Sequence, residues 1–545
     1  MRTEPGYTLV NGALHLAWPD LAVIAVYLVG IVGLGLVAWK KRKAKTGASS
    51  EYFLAGGTLG WGVIGLALFS TNISTIHLVS LAQEGYVNGL AYGNFEWMAA
   101  FLLIVLSFFF APFYIRSRVA TLPDFLEKRY SRASRDWLAV LSIFSAIFIH
   151  IGFSLYTGAV VLKGLFGIDI NVSIVLTAVL TGLYTIVGGL LAVVLTESVQ
   201  TVILIAGAAC VVVIGLVQTG GWSGMAASVE PVKLTVLRTA AQTPTLPWYA
   251  VFLGYPVIGL WYWCADQTIV QRVLGAKDER NARLGPLFAG FIKILPVFLF
   301  VLPGVIAAAL VKQGKLPAFE NSADTYSVLI NHVLPVGLKG VVAAALLAAL
   351  MSTVSGALNS IATLFSLDLY KRWRPASSEK KLTRIGRVVT FVAMVAAILW
   401  SPLISHFQSI FQGVTALICY IAPPITAVFV WGVFWKRASA KAAALTLTAG
   451  SALGLAVFFL DWFKDKTGWN VPSMMATFYL FVICSLILVA VSYLKPHTHT
   501  AESEALVWKN PLAAIRETAW TGLFDYRVIA GVLFAVMIAL YVIFA

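Results

Sequence analysis

The chain has 545 residues, 59% of them hydrophobic and 12% charged, with a mean hydropathy of +0.86 and a formal net charge of +15. Soluble domains carry about a quarter charged residues, so the composition excludes a soluble globular protein and defines an all-α polytopic membrane protein. The positive balance lies in short basic clusters between apolar runs, which excludes a nucleic-acid patch and marks membrane orientation instead.

Apolar runs of about 20 residues, the length that crosses a hydrocarbon core, recur near 20–39, 61–86, 90–115, 136–162, 171–189, 193–217, 249–271, 286–311, 336–366, 385–404, 410–435, 440–461, 474–494 and 527–545. These predict about fourteen transmembrane helices. The first run follows a short, nearly uncharged stretch and precedes KKRKAK, the reverse of a secretory signal peptide. Connections then alternate, and KKRKAK, RSR to RASR, QRVLGAKDERNAR, YKRWRPASSEKKLTRIGR and FWKRASAK all fall on one side. That side is cytoplasmic, and both termini face outward, residues 1–19 included. The outer connections near 218–248 and 313–335 have room for a short helix each. The stretch HTHTAESEALVWKNPLAAIRE reads as a solvated cytoplasmic linker with one surface helix, its two histidines too few for a metal site. Cys210, Cys264, Cys419 and Cys484 lie in apolar runs without paired spacing and read as small buried hydrophobes.

Polar side chains at membrane depth mark pathways. In the second span, LALFSTNISTIHLVS carries Ser70, Thr71, Asn72, Ser74, Thr75, His77 and Ser80. Such a run either breaks the helix, because these residues bond their own backbone, or binds helices together. The third span carries Glu96, interfacial or buried. The sixth carries Glu197 just inside its start, where a carboxylate meets the macrodipole. The seventh carries Asp266, Gln267 and Gln271, with Gly259 permitting a break. Lys293 in the eighth either snorkels to the cytoplasmic edge or faces the interior. In the ninth, LMSTVSGALNS offers Ser352, Thr353, Ser355, Asn359 and Ser360, with Ser352, Ser355 and Asn359 on one helix face. Breaks in the second and seventh spans, five apart, are the pattern of an inverted five-helix repeat with a discontinuous first helix in each half. Hydroxyl and carbonyl donors without a carboxylate suit sodium better than calcium. No phosphate-binding loop and no catalytic constellation is present, so the chain reads as a non-enzyme.

The motifs EYFLAG, FEWMA, LPDFLEKRY, GGLLAVVLTESVQTVIL, WYWCADQTIVQR, GFIKILPVF, LMSTVSGALNSIATLFSLDLY and APPITAVFVWGVFWKR occur in this order. Through them the chain resembles the sodium/solute symporter family, in its sodium/glucose cotransporter branch, over roughly residues 20 to 440. The resemblance implies an extra N-terminal helix (20–45), a ten-helix inverted-repeat core of leucine-transporter type (58–436, five plus five), and three accessory C-terminal helices (437–545). It implies a sodium site made by the carbonyls of Ser70, Ile73 and Ala349 and the hydroxyls of Ser352 and Thr353. It implies a sugar site made by Asn72, His77, Glu96, Lys293 and Trp263, with either Gln412 or Thr415 matching a further sugar-binding glutamine. Tyr262 matches the inner gate, Phe95 an outer-gate aromatic and Phe411 a gate aromatic. Asp266 matches a residue of less clear role. Gly259 and Ala99 depart from polar residues in sugar-carrying members. A second sodium site would use Glu197 and Ser355, but Gly356 removes one hydroxyl, which favours one sodium per cycle.

The expected protein is a sodium-coupled symporter for a glucose- or galactose-like hexose, multi-pass in a bacterial inner membrane and functional as a monomer. Its partners would be sodium, the sugar and the lipid bilayer, with no nucleic acid. The alternatives are symport of an inositol, sialic acid, carboxylate or amino acid, or a solute sensor on the same scaffold.

Overall fold

The computed structural model describes residues 17–43, 49–319, 321–406, 410–497 and 499–545. The described residues are helical, with one isolated bridge between Leu59 and Ala276. Eleven described helices are long and apolar enough to cross a membrane, and large apolar side chains such as Val26, Val29, Leu399 and Val542 stand exposed on the outside, as lipid requires. Eleven is fewer than the fourteen runs because the second and seventh are interrupted, while neighbouring runs elsewhere form continuous helices. The fifth and sixth runs form Ile170–Thr219, bent at Gly189, where φ is +65° and a Cβ would lie 2.6 Å from the Tyr52 carbonyl. Only glycine meets both demands cheaply.

The Leu338–Trp373 helix sits at the centre, with 94% of its most apolar window buried, against 22% for Trp18–Ala38 at the periphery. Asp20, buried at the start of the peripheral helix, accepts from the backbone N–H groups of Gly337 and Gly340 at 2.7 Å each. This anchors Trp18–Lys43 on the N-terminus of Leu338–Thr363 with a carboxylate where the macrodipole favours one. At the far end of the chain, the Val236 N–H donates to the Phe544 carbonyl (2.7 Å) and the Tyr541 hydroxyl to Asn94 Oδ1 (2.8 Å). The last helix, Tyr526–Ile543, is thereby held against the outer connection.

Several spans carry a π-helical turn, among them Leu106–Phe110, Val297–Val301 and Trp261–Ala265. The first two have a local cause in Pro112 and Pro303. Each removes a donor and crowds the carbonyl four residues back, at Phe108 and Leu299, so the ladder shifts outward. The outer connections hold the short helices expected of them, Gly221–Ser228 and Thr325–Val333. The described stretch 499–517 is mostly exposed, as a solvated linker would be, but it is also docked at Trp508 and Ser503. Trp508 is buried, its indole N–H donating to the Phe109 carbonyl (3.0 Å) and its backbone N–H to Val433 (2.9 Å). Ser503 accepts from Arg129, itself buried. One tryptophan among charged residues supplies the apolar area that docks the segment.

Thr75–Asn88 and Leu302–Lys312 cross at Gly85 and Gly304, where an added Cβ would lie 2.0 Å from the Val301 carbonyl and 1.9 Å from the Ala82 carbonyl respectively. Both obstacles are backbone, so a methyl forces the helices apart. Gly85→Ala is expected to cost about 1–3 kcal/mol, read as a lowered Tm of the purified protein; an unchanged Tm would refute the tight crossing.

Candidate functional site

The polar run of the second span is a break. Trp61–Asn72 ends at Ile73 (φ −79°, ψ 110°), Ser74 is also extended (φ −106°, ψ 174°), and Thr75–Asn88 resumes the helix. The His77 N–H donates to the Ser74 carbonyl at 3.0 Å, releasing the Ile73 carbonyl, which a continuous helix would have engaged. The backbone N–H of Ser74 in turn donates to His77 Nδ1 (3.2 Å). With Nδ1 accepting, the proton of a neutral imidazole resides on Nε2, and Nε2 faces Glu96 Oε1 at 3.8 Å.

The seventh span breaks at Asp266, not Gly259. Trp248–Leu260 runs through Gly259, where an added Cβ would lie 2.9 Å from Leu102 and from Tyr255; this glycine serves close packing. The extended residue is Asp266 (φ −87°, ψ 124°), whose carboxylate accepts from the Ile269 N–H (3.2 Å) and caps Gln267–Leu274. Its other oxygen lies 3.6 Å from His150 Nε2. Asp266 thus has a structural role as the cap that makes the break.

Glu96 is neither interfacial nor exposed, and Lys293 does not snorkel: their side chains are 2% and 1% exposed and form an ion pair. The backbone supports both charges. Glu96 sits in the first turn of Asn94–Val105 and Lys293 directly after Glu279–Ile292, so each meets the favourable end of a helix dipole. The Trp97 indole donates to the Ile294 carbonyl (3.2 Å) and holds the two elements together. Lys293 also donates to Asn72 Oδ1 (2.5 Å) and lies 5.5 Å over the Trp263 ring, and Asn72 Nδ2 donates to the Tyr262 hydroxyl (3.1 Å).

Asn72, His77, Glu96, Tyr262 and Trp263 border one cavity, which Phe95, Tyr255 and Thr415 also line, while Lys293 is not part of its lining. A second cavity lies beyond it, bordered by Glu84, Thr245, Asp461, Lys464 and Trp469. Phe95 and Thr415 line both, so they stand between an inner chamber and an outer vestibule. The side chains of Phe411 and Gln412 lie outside the described residues; Thr415, the other alignment, reaches the inner cavity.

Beside the first break, Ser352 Oγ donates to the Ser70 carbonyl (2.8 Å) and the Ala349 carbonyl (3.0 Å). Thr353 Oγ1 lies 3.3 Å from the Thr71 and Ala349 carbonyls. The geometry gathers Ser70, Ala349, Ser352 and Thr353, with Ile73 at the break. All five are buried.

Glu197 is not a helix-start carboxylate. The helix bends at Gly189, two turns earlier, and Glu197 lies fully buried on Arg272 (Nη2–Oε1 2.5 Å, Nε–Oε2 3.2 Å). Ser355 Oγ donates to the Ser352 carbonyl (3.0 Å), so no described hydrogen bond joins it to Glu197. Arg272 falls within a basic cluster of the sequence, yet its side chain is 0% exposed. The missed signal is its place one turn after Gln267, inside a polar membrane segment. Tyr255 was also missed; its hydroxyl donates to the Phe95 carbonyl (2.6 Å), and its spacing of seven from Tyr262 puts both on one helix face.

Two discontinuous helices around a polar chamber at membrane depth, reached from one side through an aromatic constriction, define a secondary transporter of the inverted-repeat, leucine-transporter type. The family model for the sodium:solute symporter family matches residues 52–450, and the chain belongs to this family. The sodium/glucose cotransporter 4 of Danio rerio is 34% identical over 475 residues, covering 81% of this chain and 72% of that one. The sodium/myo-inositol cotransporter 2 of Oryctolagus cuniculus is 33% identical over 488 residues, covering 83% and 72%. Among solved structures, the substrate-bound outward-open state of a Na+-coupled sialic acid symporter superposes with a TM-score of 0.76 at 23% identity, covering 89% of this chain and all of that one. The protein is a sodium-coupled solute symporter of the membrane, and sodium is its coupling ion.

Proposed function

We propose that the solute is a neutral hexose of glucose or galactose type, bound in the inner cavity by Asn72, His77, Glu96 and Lys293. The observation that carries this reading is the Glu96–Lys293 pair at the chamber wall, with Glu96 in the lining and Lys293 paired to it from outside the lining. Because each charge cancels the other, the chamber offers donors and acceptors with no net charge, which suits many hydroxyls and no ionised group. The Tyr262 and Trp263 rings suit the apolar face of a pyranose. Thr415 supplies one more hydroxyl. Relatives named for glucose and for myo-inositol cotransport support a polyol in the same place.

Sodium binds first between Ser70, Ile73 and Ala349 and the hydroxyls of Ser352 and Thr353, joining the broken helix to the central one. Ordering the break sets Asn72 and His77 for the sugar. Phe95, with Phe411, closes above it, and displacement of Tyr262 below releases both ligands inward. One charge crossing 100 mV supplies about 2.3 kcal/mol, and a tenfold sodium gradient about 1.4 kcal/mol more, enough for a sugar gradient of roughly several hundredfold. The transport core is 58–436, with 20–45 and 437–545 as accessory helices, in a monomer of a bacterial inner membrane.

The test is uptake into proteoliposomes under an inward sodium gradient, with glucose, galactose, myo-inositol and sialic acid. Hexose uptake that vanishes when sodium is replaced by choline is expected. Sodium-driven uptake of myo-inositol or sialic acid alone overturns the hexose assignment, and no sodium-driven uptake of any panel member favours a sensor.

A further inference from the structure

We propose that the cytoplasmic bend at residues 512–525 is a foot that inserts into the inner leaflet beside the last helix, and that phospholipid covers its exposed apolar side chains. The inference is independent of which solute is carried.

The bend is built inside out for a loop in water. Its tip presents Trp520, Leu523 and Phe524 at 63%, 83% and 75% exposure, and Leu512 and Ile515, earlier in the bend, are exposed as well. A loop in water leaves much of its backbone to solvent, whereas this backbone is bonded from within. Arg527, in the first turn of the last helix, donates from Nη1 to the Ile515 carbonyl (2.7 Å) and the Thr518 carbonyl (3.3 Å), and from Nη2 to the Ala519 carbonyl (3.1 Å). The Tyr526 hydroxyl donates to the Ala514 carbonyl (2.9 Å). Asp525 Oδ2 accepts from the Thr521 N–H (3.0 Å) and from its hydroxyl (3.2 Å). The charge of Arg527 is itself matched by Asp525 (Nε–Oδ1 2.6 Å, Nη2–Oδ2 2.7 Å), and its guanidinium lies 5.1 Å from the centre of the Trp520 ring. Polar groups thus face one another while apolar side chains face outward, which is what lipid demands of a segment that enters it.

Three helix ends fix the height of the bend. The last helix, Tyr526–Ile543, starts just after Phe524 and carries its own exposed apolar side chains, Val532 and Phe534 among them. Glu517 accepts from Arg116 Nη1 (2.7 Å) at the cytoplasmic end of the third span. Arg116 Nε in turn donates to Glu279 (2.8 Å) at the start of the eighth. The bend is therefore level with the cytoplasmic ends of three helices, the depth at which headgroups meet acyl chains and tryptophan is favoured. Its apolar exposure is continuous in sequence with the lipid-facing side of the last helix, so the bilayer is the occupant rather than a second copy of the chain. Attachment at such a boundary scales with the apolar area inserted.

The test places a nitroxide label at Leu523→Cys, and separately at Phe524→Cys, in the full chain in nanodiscs of phosphatidylcholine and phosphatidylglycerol. Lys509→Cys, an exposed position of the same connection, gives the aqueous reference. The unsubstituted chain, whose own cysteines are buried or half-buried, gives the labelling background. Collision with oxygen, which partitions into acyl chains, is compared with collision with a nickel(II) chelate, which stays in water. The ratio is expected to shift towards oxygen at 523 and 524 and towards nickel at 509. Nickel collision at 523 and 524 equal to that at 509 overturns the inference, because the tip then stands in water. Loss of collision with both reagents also overturns it, because protein then covers the tip, and spin–spin broadening would identify that protein as a second copy. The two labelled positions are read independently, so either one decides the matter if the other variant does not fold.

Discussion

If the proposed hexose reading holds, Glu96→Ala is expected to abolish sodium-driven hexose uptake while leaving the protein folded enough to purify. Removing the carboxylate strands the Lys293 ammonium, 1% exposed, with Asn72 Oδ1 as its remaining side-chain acceptor among the described hydrogen bonds. Breaking one side of a buried ion pair costs about 3–5 kcal/mol, and no solvent screening reduces this at such burial. Water or movement of Lys293 towards the cavity would relieve part of that cost, and there the ammonium would compete with the proposed hexose. The expected loss of binding is therefore at least roughly a hundredfold. His77 loses its facing carboxylate at the same time, so one change disturbs two of the proposed sugar contacts. Glu96→Gln retains an acceptor and is expected to fall between. Equilibrium binding of labelled glucose, with circular dichroism as the folding control, checks the result; wild-type affinity in Glu96→Ala would falsify the role. The double variant Glu96→Gln/Lys293→Met removes both charges and is expected to recover stability without recovering binding.

Ser352→Ala is expected to raise the sodium concentration needed for half-maximal uptake by about tenfold to a hundredfold, the equivalent of about 1.5–3 kcal/mol for a bond to a charged partner. The hydroxyl spans the Ser70 and Ala349 carbonyls, on opposite sides of the joint between the broken and central helices. Its loss removes a proposed sodium ligand and loosens that joint. Thr353→Ala is expected to act in the same direction, and Thr353→Ser, which keeps the hydroxyl, to restore sodium activation. Sodium-activation curves at saturating sugar measure this, and curves that superpose on wild type in both alanine variants sink the assignment.

Local patterns made much of this legible beforehand. A run of Ser, Thr and Asn offers the backbone bonds that compete with a helix ladder, and the Ile73–Ser74 break is where that competition succeeds. The second break was legible as a segment but not as a residue. Gly259 has the freedom to bend, yet tight packing against Leu102 and Tyr255 keeps it helical, and the capping carboxylate of Asp266 sets the break instead. Glu96 and Lys293 each had a bland reading while considered alone, and what removed it was a partner 197 residues away. Arg272 hid among cytoplasmic lysines and arginines because a charge count carries no depth. Trp508 was overlooked because polar neighbours in sequence do not report on the cleft in which one indole docks.

The sequence by itself determined the class: lipid tolerates only helices whose backbone is internally satisfied, so long apolar runs, basic loops and two polar interruptions five spans apart dictate an inverted-repeat membrane protein. Its motifs also pointed to the family. Only the tertiary structure decided which charges face each other. Glu96 with Lys293 and Glu197 with Arg272 are separated by 197 and 75 residues in the chain. Whether a buried charge is a ligand, a cap or a counter-ion depends on the few ångströms around it, and those distances arise only when helices far apart in sequence pack side by side.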